Sequence, residues 1–556
     1  MPALAEKRIS LLLFAVAVLL YLPGIWWGLP YATAANRIRP WGSDELAPLG
    51  FGELYSVSLH PRPKFDPRYP LFHHVIQALA AGPYALYLWL TGQISHFTPE
   101  YPYGLLDPVG ALAVLTVLGR LPSLFMAAGV VVVAFRTAAI LWDRRTGVLA
   151  GVAVLLMYPM FYYARTSNVD MAALFWTSLG LAVGAVCLRH GMTVRRAVWL
   201  GLLGALATAT KDASYAAFAG LLPPLLWWHV CDGRRAGGGW PEWWKAPLLG
   251  LAAFAGVYVV ASGLAVHPGR FLIHLRFIVH GSPWSPLRKA YGSTPMTLAG
   301  YVSVARDTLA YLAEALGEPL LALAVAGLVV CAARRSRTAA FALPALGVLL
   351  GVILPVRFLE FRFVLVMAYS LALFAAYAVA SSLESPSSLL RRSGQIGLVT
   401  AYGWLLLLGA DLTYQMLNDS RYEAGRWFGG VARPGDRVTF TDGAYKLPHL
   451  APGIVAVGLP PGPRAAHVLQ RERPEFVTVI PVLRLEAHRE HLLSEEVYRA
   501  LRDGTLGYAQ VLAIQTPALF SRRRPISMVN PPVKVFVRKD LLARLDPSTR
   551  RIEVDH

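Results

Sequence analysis

With 556 residues, 55% of them hydrophobic and only 15% charged, and with a mean hydropathy of +0.47, the chain sits far from the roughly one-quarter charged content of soluble domains. That balance excludes a single soluble core. A formal net charge of +19 does not indicate nucleic acid either. Outside the C-terminal region the Lys and Arg residues form short clusters between apolar blocks, as cytoplasmic loops of membrane proteins do. Cys187, Cys231 and Cys331 lie in or beside apolar blocks without a CxxC spacing and carry no disulfide or metal signal.

The first apolar block, 9–29, follows Lys7-Arg8 and ends with Trp26 and Trp27, as an interfacial aromatic belt would. It reads as an uncleaved span, although Ala32-Thr33-Ala34 faintly resembles a signal-peptidase site. The basic clusters at Lys7-Arg8, Arg144-Arg145, 189–196, Arg234-Arg235, 334–337 and Arg391-Arg392 are assigned to the cytoplasm. Between the first two clusters only one of the blocks 71–91 and 120–142 can cross fully. The earlier block carries His73, His74 and Gln77 and reads as a surface or re-entrant helix. Further spans are predicted at 146–163, 171–188, 197–210, 213–230 and 247–266, then at 318–333, 339–355, 361–382 and 395–416. The stretch 298–316, with Arg306, Asp307 and Glu314, reads as an amphipathic surface helix.

The result is a mainly α fold, a polytopic bundle of about 11 spans over 1–416. Its N-terminus is cytoplasmic, and the outer loop 30–70 and surface helices lie on the other face. The predicted location is the plasma (inner) membrane. From 417 to 556 charge rises, prolines recur and β-type runs appear at 437–441 and 476–480, with helical patterns at 420–430 and 494–502. This region is predicted to be a small soluble α/β domain, periplasmic or extracellular. It contains no GxGxxG, no P-loop and no repeat.

Several polar groups stand on the outer face. Asp44-Glu45, an adjacent carboxylate pair in the first outer loop, suits a general base or a metal ligand; a solvated loop or helix cap is the plainer reading. Asp170 stands at the mouth of a span, where burial demands a partner or a cavity, with a helix cap as the alternative. Lys211, followed by Asp212, is a basic residue on the face where topology does not call for one. It suits a phosphate, or snorkels. In Arg357-Phe-Leu-Glu360-Phe-Arg362, Arg362 can grip a phosphate bidentately, and Glu360 can pair with either arginine. Arg68-Tyr69-Pro70 precedes the surface helix, and the adjacent His73-His74 point to different sides of it, so they are not read as a metal pair.

The order of these motifs resembles membrane glycosyltransferases of the GT-C class, specifically the protein O-mannosyltransferase and lipid A aminoarabinose transferase group. The carrying residues are Asp44-Glu45, Arg68-Tyr69-Pro70-Leu71, Arg120-Leu-Pro122, Tyr163-Ala-Arg165 leading to Asp170, Thr210-Lys211 and Arg362-Phe-Val-Leu365. The soluble domain opens in the same manner, with Asn418-Asp-Ser-Arg421-Tyr-Glu-Ala424, Trp427 and Pro434-Gly435. Two departures leave the donor sugar open: Tyr-Pro-Leu-Phe-His-His replaces a double proline followed by aromatics, and Asp212 stands where a small residue is common. The resemblance implies a polyprenyl-phosphate sugar donor, a hydroxyl acceptor and inverting transfer at the outer face. It implies Asp44 as base with Glu45 in support, Lys211 and Arg362 on the donor phosphate, and Asp170, Arg68 and Tyr69 in supporting places. Tyr31, Trp41 and Tyr69 can stack on sugar or anchor at the interface. No nucleotide sugar, no nucleic acid and no obligatory cofactor or metal is implied, a divalent cation remaining open. A transporter or a non-catalytic scaffold is the rival reading, and the inverted repeats of a transporter are not evident in the sequence.

Overall fold

The computed structural model describes residues 2–42, 44–50, 52, 54, 69–96, 98, 100–237, 239–280, 294–334, 336–441, 443–480, 493–520 and 526–551. It forms two compact units. One comprises Met1–Ile25, Leu49–Ala80 and Arg120–Ala410; the other comprises Trp26–Pro48, Ala81–Gly119 and Asp411–His556.

The helices, in chain order, are α1 (Pro2–Tyr21), α2 (Phe72–Leu90), α3 (Pro108–Leu141), α4 (Arg144–Leu156), α5 (Val169–His190), α6 (Val194–Thr210) and α7 (Tyr215–Arg235). There follow α8 (Trp240–Ala261), α9 (Pro268–His280), α10 (Leu298–Ala333), α11 (Leu343–Val348), α12 (Leu365–Leu383), α13 (Ser388–Leu417) and α14 (Ser420–Val431). Among the described residues seven stretches are long and apolar enough to cross a membrane: Pro108–Leu141, Val169–His190, Trp243–Ala261, Leu298–Ala333, Arg337–Val356, Phe361–Leu383 and Ser388–Val431. The remaining four expected spans are not among these seven, each for a feature of its sequence. α1 stops at Tyr21 and carries Glu6, Lys7 and Arg8. The 13 residues of α4 rise only about 20 Å against a hydrocarbon layer of about 30 Å. α6 has 17 residues, and α7 dilutes its apolar run with Pro223, Pro224, Trp227, Trp228 and His229.

Helix starts follow the sequence. Asp143 caps α4 through the Thr146 N–H (2.9 Å), Asn168 caps α5, and Thr297 caps α10 through the Gly300 N–H (3.1 Å), each filling an orphan donor. The stretch Leu298–Ala333 is kinked at the boundary between 298–316 and 318–333: Gly317 has φ 67° and ψ 145°, a conformation that only glycine adopts cheaply. α12 is the central helix. Its apolar window is 83% buried by protein, whereas that of Trp243–Ala261 is 11% buried and faces outward. α7 and α11 approach backbone to backbone, since a Cβ on Gly347 would strike the Ala216 carbonyl and the Gly220 backbone. Small residues of this kind let membrane helices gain dispersion contacts where no hydrophobic effect separates protein from lipid.

Two arginines of the sequence motifs are structural. Arg165, wholly buried, donates from Nε to the Tyr21 carbonyl (2.8 Å) and from Nη2 to the Leu20 carbonyl (3.1 Å). Arg120 donates to the Ile25 carbonyl (2.7 Å). Together they satisfy orphan carbonyls at and beyond the C-terminal end of α1.

In the second unit a five-stranded sheet runs in the order β2-β1-β3-β5-β4, with β1 (Arg437–Phe440), β2 (Val455–Gly458), β3 (Phe476–Val479), β4 (Tyr508–Ile514) and β5 (Val533–Arg538). β2, β1 and β3 are parallel, and β5 and β4 are antiparallel. The sheet is therefore mixed. All four β3 residues are buried, as in a strand covered on both faces. Ala424 and Phe428 of α14 pack on one side. Ala465 and Leu469 of α15 (Arg464–Glu472) and Val497 and Leu501 of α16 (Glu495–Arg502) pack on the other.

Candidate active site

The turn between α6 and α7 presents Lys211. α6 ends where Thr210 returns its hydroxyl to the Leu206 carbonyl (2.8 Å). Lys211 then leaves helical geometry at φ −153° and ψ 118°, and the 3-10 turn Asp212–Ser214 reverses the chain into α7. From this extended position the Lys211 ammonium reaches Asp170 Oδ1. Asp170 lies in the first turn of α5 but is not the cap; Asn168 is, accepting the Asp170 N–H at 3.0 Å. The positive end of α5 favours the Asp170 carboxylate. The side chains are 2% (Asp170) and 16% (Lys211) exposed, so the lysine is paired rather than snorkelling. Asp170 Oδ2 is buried and has no hydrogen-bond partner among the described residues.

A second pair stands beside the first. Glu360 pairs with Arg362 (2.6 Å; side chains 25% and 12% exposed). Arg357, in left-handed geometry at φ 50°, instead donates to the Thr294 carbonyl (3.0 Å). The Phe363 ring joins the pairs, with Lys211 Nζ 5.2 Å and Arg362 Cζ 5.9 Å from its centroid, both within cation–π range. Buried Tyr163 interacts electrostatically with Asp170, Arg362 and Glu360. Asp212 faces His274 of α9 at 3.2 Å. The ammonium and guanidinium are thus held in place by their own carboxylates, and Asp170 keeps one oxygen to accept a hydrogen bond from a bound molecule. Sequence reading singled out Asp170, Lys211 and Arg362. It gave no role to Phe363 or His274, because an aromatic under two cations and a histidine 62 residues from its carboxylate leave no local pattern.

The carboxylate pair of the first outer loop belongs to the second unit. Asp44 is half-buried with φ 60°, a left-handed conformation that aspartate tolerates better than most residues. Glu45, also half-buried, lays its carboxylate over Gly42, where a Cβ would collide with it. Three residues before Asp44, Trp41 is 2% exposed. Burial removes Trp41 and Tyr69 (8% exposed) as surfaces for sugar stacking. Tyr31 stacks on His449 at 5.3 Å. Trp27, expected in an interfacial belt, is 1% exposed and donates to Asp419 (3.0 Å); Trp26 is the exposed one of the two. Arg68 lies outside the described residues. His73 and His74 are buried, His73 contacting Gln77 (3.3 Å) and His74 the Gly50 carbonyl (3.0 Å).

Apolar membrane helices, a cluster of half-buried cation–carboxylate pairs and an appended mixed sheet make up a fold similar to that of GT-C membrane glycosyltransferases. ArnT from Cupriavidus metallidurans, in its crystal structure bound to undecaprenyl phosphate, aligns with a TM-score of 0.51 at 14% identity, over 97% of this chain and 99% of that one. Archaeal oligosaccharyltransferase AglB from Archaeoglobus fulgidus, in complex with an inhibitory peptide and a dolichol-phosphate, aligns at 0.42, 13% identity and 85% and 69% coverage. The mycobacterial arabinofuranosyltransferase AftD aligns at 0.39, 16% identity and 96% and 41% coverage. No protein-family model and no curated protein matches the chain. The likeness to ArnT is one of fold, from end to end, and ArnT falls in the group that the motif order resembles.

Proposed function

We propose that this protein transfers a sugar from a polyprenyl-phosphate-linked donor to an acceptor hydroxyl of a protein, lipid or glycan, at the non-cytoplasmic face and with inversion. The observation that carries the reading is the pair of half-buried cations, Lys211 and Arg362, held over one aromatic ring within an ArnT-like fold. As the anomeric C–O bond to the donor phosphate breaks, the electron pair goes to the phosphate, and fixed cations lower the cost of that charge without reorganising. Asp44 takes the acceptor proton as the new C–O bond forms, and Glu45 orients it. Asp170 keeps Lys211 in place and offers Oδ2 to a substrate hydroxyl, with Arg68 and Tyr69 in support. The donor brings its own activated phosphate, so no nucleotide and no obligatory metal is assigned. Eleven crossings, with the N-terminus cytoplasmic, complete the reading.

The test is transfer of radiolabelled sugar from a panel of polyprenyl-phosphate sugars, in membranes holding equal amounts of wild type, Asp44→Asn and Lys211→Ala. Wild type should transfer, and Asp44→Asn should lose about 10²–10⁴-fold, the usual worth of a positioned base. Undiminished transfer by Asp44→Asn would remove it as base. Absence of transfer from every donor would favour a transporter or a scaffold.

A further inference from the structure

We propose that the C-terminal sheet domain is a positioning clamp for the loop that carries Asp44 and Glu45, with Arg421 and Trp41 at its centre; this inference rests on the transferase reading above. All the residues concerned belong to the second compact unit.

The loop is held by the domain at several points between Gly28 and Trp41. The Arg421 guanidinium lies 4.1 Å from the Trp41 ring centroid, and Tyr422 and His449 border the same ring at 4.7 Å and 4.9 Å. The indole N–H donates to the Leu447 carbonyl (3.1 Å). The loop is also closed on itself, Trp41 N–H to the Gly28 carbonyl (2.9 Å), and the Gly28 N–H donates to the Tyr422 hydroxyl (2.8 Å). A second anchor is Arg37, which donates to the carbonyls of Leu450 (3.0 Å) and Ile454. Backbone carbonyls capped by a buried arginine and an arginine stacked on a desolvated indole are costly to separate.

Arg421 is itself fixed. It is wholly buried and forms a fork with Asp419 (2.9 and 2.8 Å) while donating to the Met528 carbonyl (2.6 Å). A guanidinium locked by its own carboxylate is a rigid platform, and a rigid platform is what a base on an irregular loop needs. A loop displaced by about 1 Å loses on the order of 100-fold in rate. The domain thus supplies to the loop the order that a helix or strand would supply to a residue within it. Arg421 and Trp41 act through the loop and are positioning residues.

The experiment uses the full chain in detergent or membranes, with Trp41→Ala, Tyr422→Phe, Arg421→Lys and wild type. Hydrogen exchange is followed in 28–42, with β3 as the internal measure of whether the domain is folded, and transfer kinetics are recorded on the same samples. Trp41→Ala should speed exchange in 28–42 while β3 stays protected, and should lower kcat more than it raises KM. Tyr422→Phe, which loses the hydrogen bond from the Gly28 N–H, should speed exchange about fivefold, and Arg421→Lys should fall between wild type and Trp41→Ala. Slow exchange in 28–42 of Trp41→Ala with β3 protected overturns the clamp, as does a loosened loop with unchanged kcat. Should β3 lose protection in Trp41→Ala, Tyr422→Phe decides by the same criteria. Absence of transfer by wild type would defeat the transferase reading, while the exchange data would still judge whether the domain holds the loop.

Discussion

Asp170 and Lys211 show why a buried ion pair must be judged by both its partners. Removing only the lysine leaves a carboxylate whose side chain is 2% exposed without its counter-charge, a loss of about 3–5 kcal/mol. Replacing both by apolar residues of similar volume is typically neutral or better. Lys211→Met is therefore expected to lower the melting temperature markedly, and Lys211→Met with Asp170→Leu to restore it. Neither is expected to transfer sugar. Recovery of activity in the double variant would show that the pair serves folding alone. His449 gives the second expectation at this scale. Burial pushes its imidazole below the ordinary value, the Arg421 charge adds to that, and the bond to the Leu29 carbonyl and the Asp419 charge oppose it. Tyr31, Trp41 and Tyr422 complete its surroundings. Above about pH 6.5 the imidazole is neutral in both folded and unfolded chains and contributes nothing. As the pH falls below that value the unfolded chain binds a proton that the fold resists, so stability drops. Protection of 28–42, taken relative to the exchange of unstructured chain at the same pH, should fall between about pH 7 and pH 5.5 in wild type, and His449→Gln should flatten that dependence.

At the scale of elements, membrane helices are placed by small residues and breaks more than by their apolar content. Gly347→Val is expected to push α11 off α7, because the new side chain meets the Ala216 carbonyl and the Gly220 backbone. Overpacking of this order costs about 1–3 kcal/mol, and a thermal shift measured in detergent would register it. Much of this level was legible in the sequence. The boundary near 317 follows from Arg306, Asp307 and Glu314 in the stretch before it, and β1, β3, α14 and α16 follow from β-type runs and helical patterns. The strands β2, β4 and β5 were not, since Val455–Gly458 is half-exposed and lacks alternation. At the site, Lys211 stood out because a charge on the wrong face of a membrane needs a reason. The roles of Arg120 and Arg165 were hidden, since their partners are backbone carbonyls and leave no mark on side-chain identity.

For the whole molecule, seven stretches among the described residues are long and apolar enough to cross, and the face on which the sheet domain lies depends on whether α1, α4, α6 and α7 cross as well. With eleven crossings the termini are on opposite sides. Single cysteines in a chain lacking Cys187, Cys231 and Cys331, placed at Glu6 and at Glu495, are expected to react oppositely with a membrane-impermeant thiol reagent on intact cells, position 495 being labelled and position 6 protected. Equal labelling would require an even number of crossings.

The outer loop and its holder are far apart in the chain: the Gly28–Tyr422 bond joins residues separated by 394 positions. At a synthesis rate of 5–20 residues per second, roughly 20–80 s pass between the making of the loop and the arrival of the domain that orders it. A nascent chain would therefore carry its acidic pair unaligned until translation is nearly complete. In biosynthetic terms, the proposed clamp makes transfer wait for the synthesis of its own holder, and a chain cut short before residue 421 is expected to insert many of its membrane helices and to transfer no sugar.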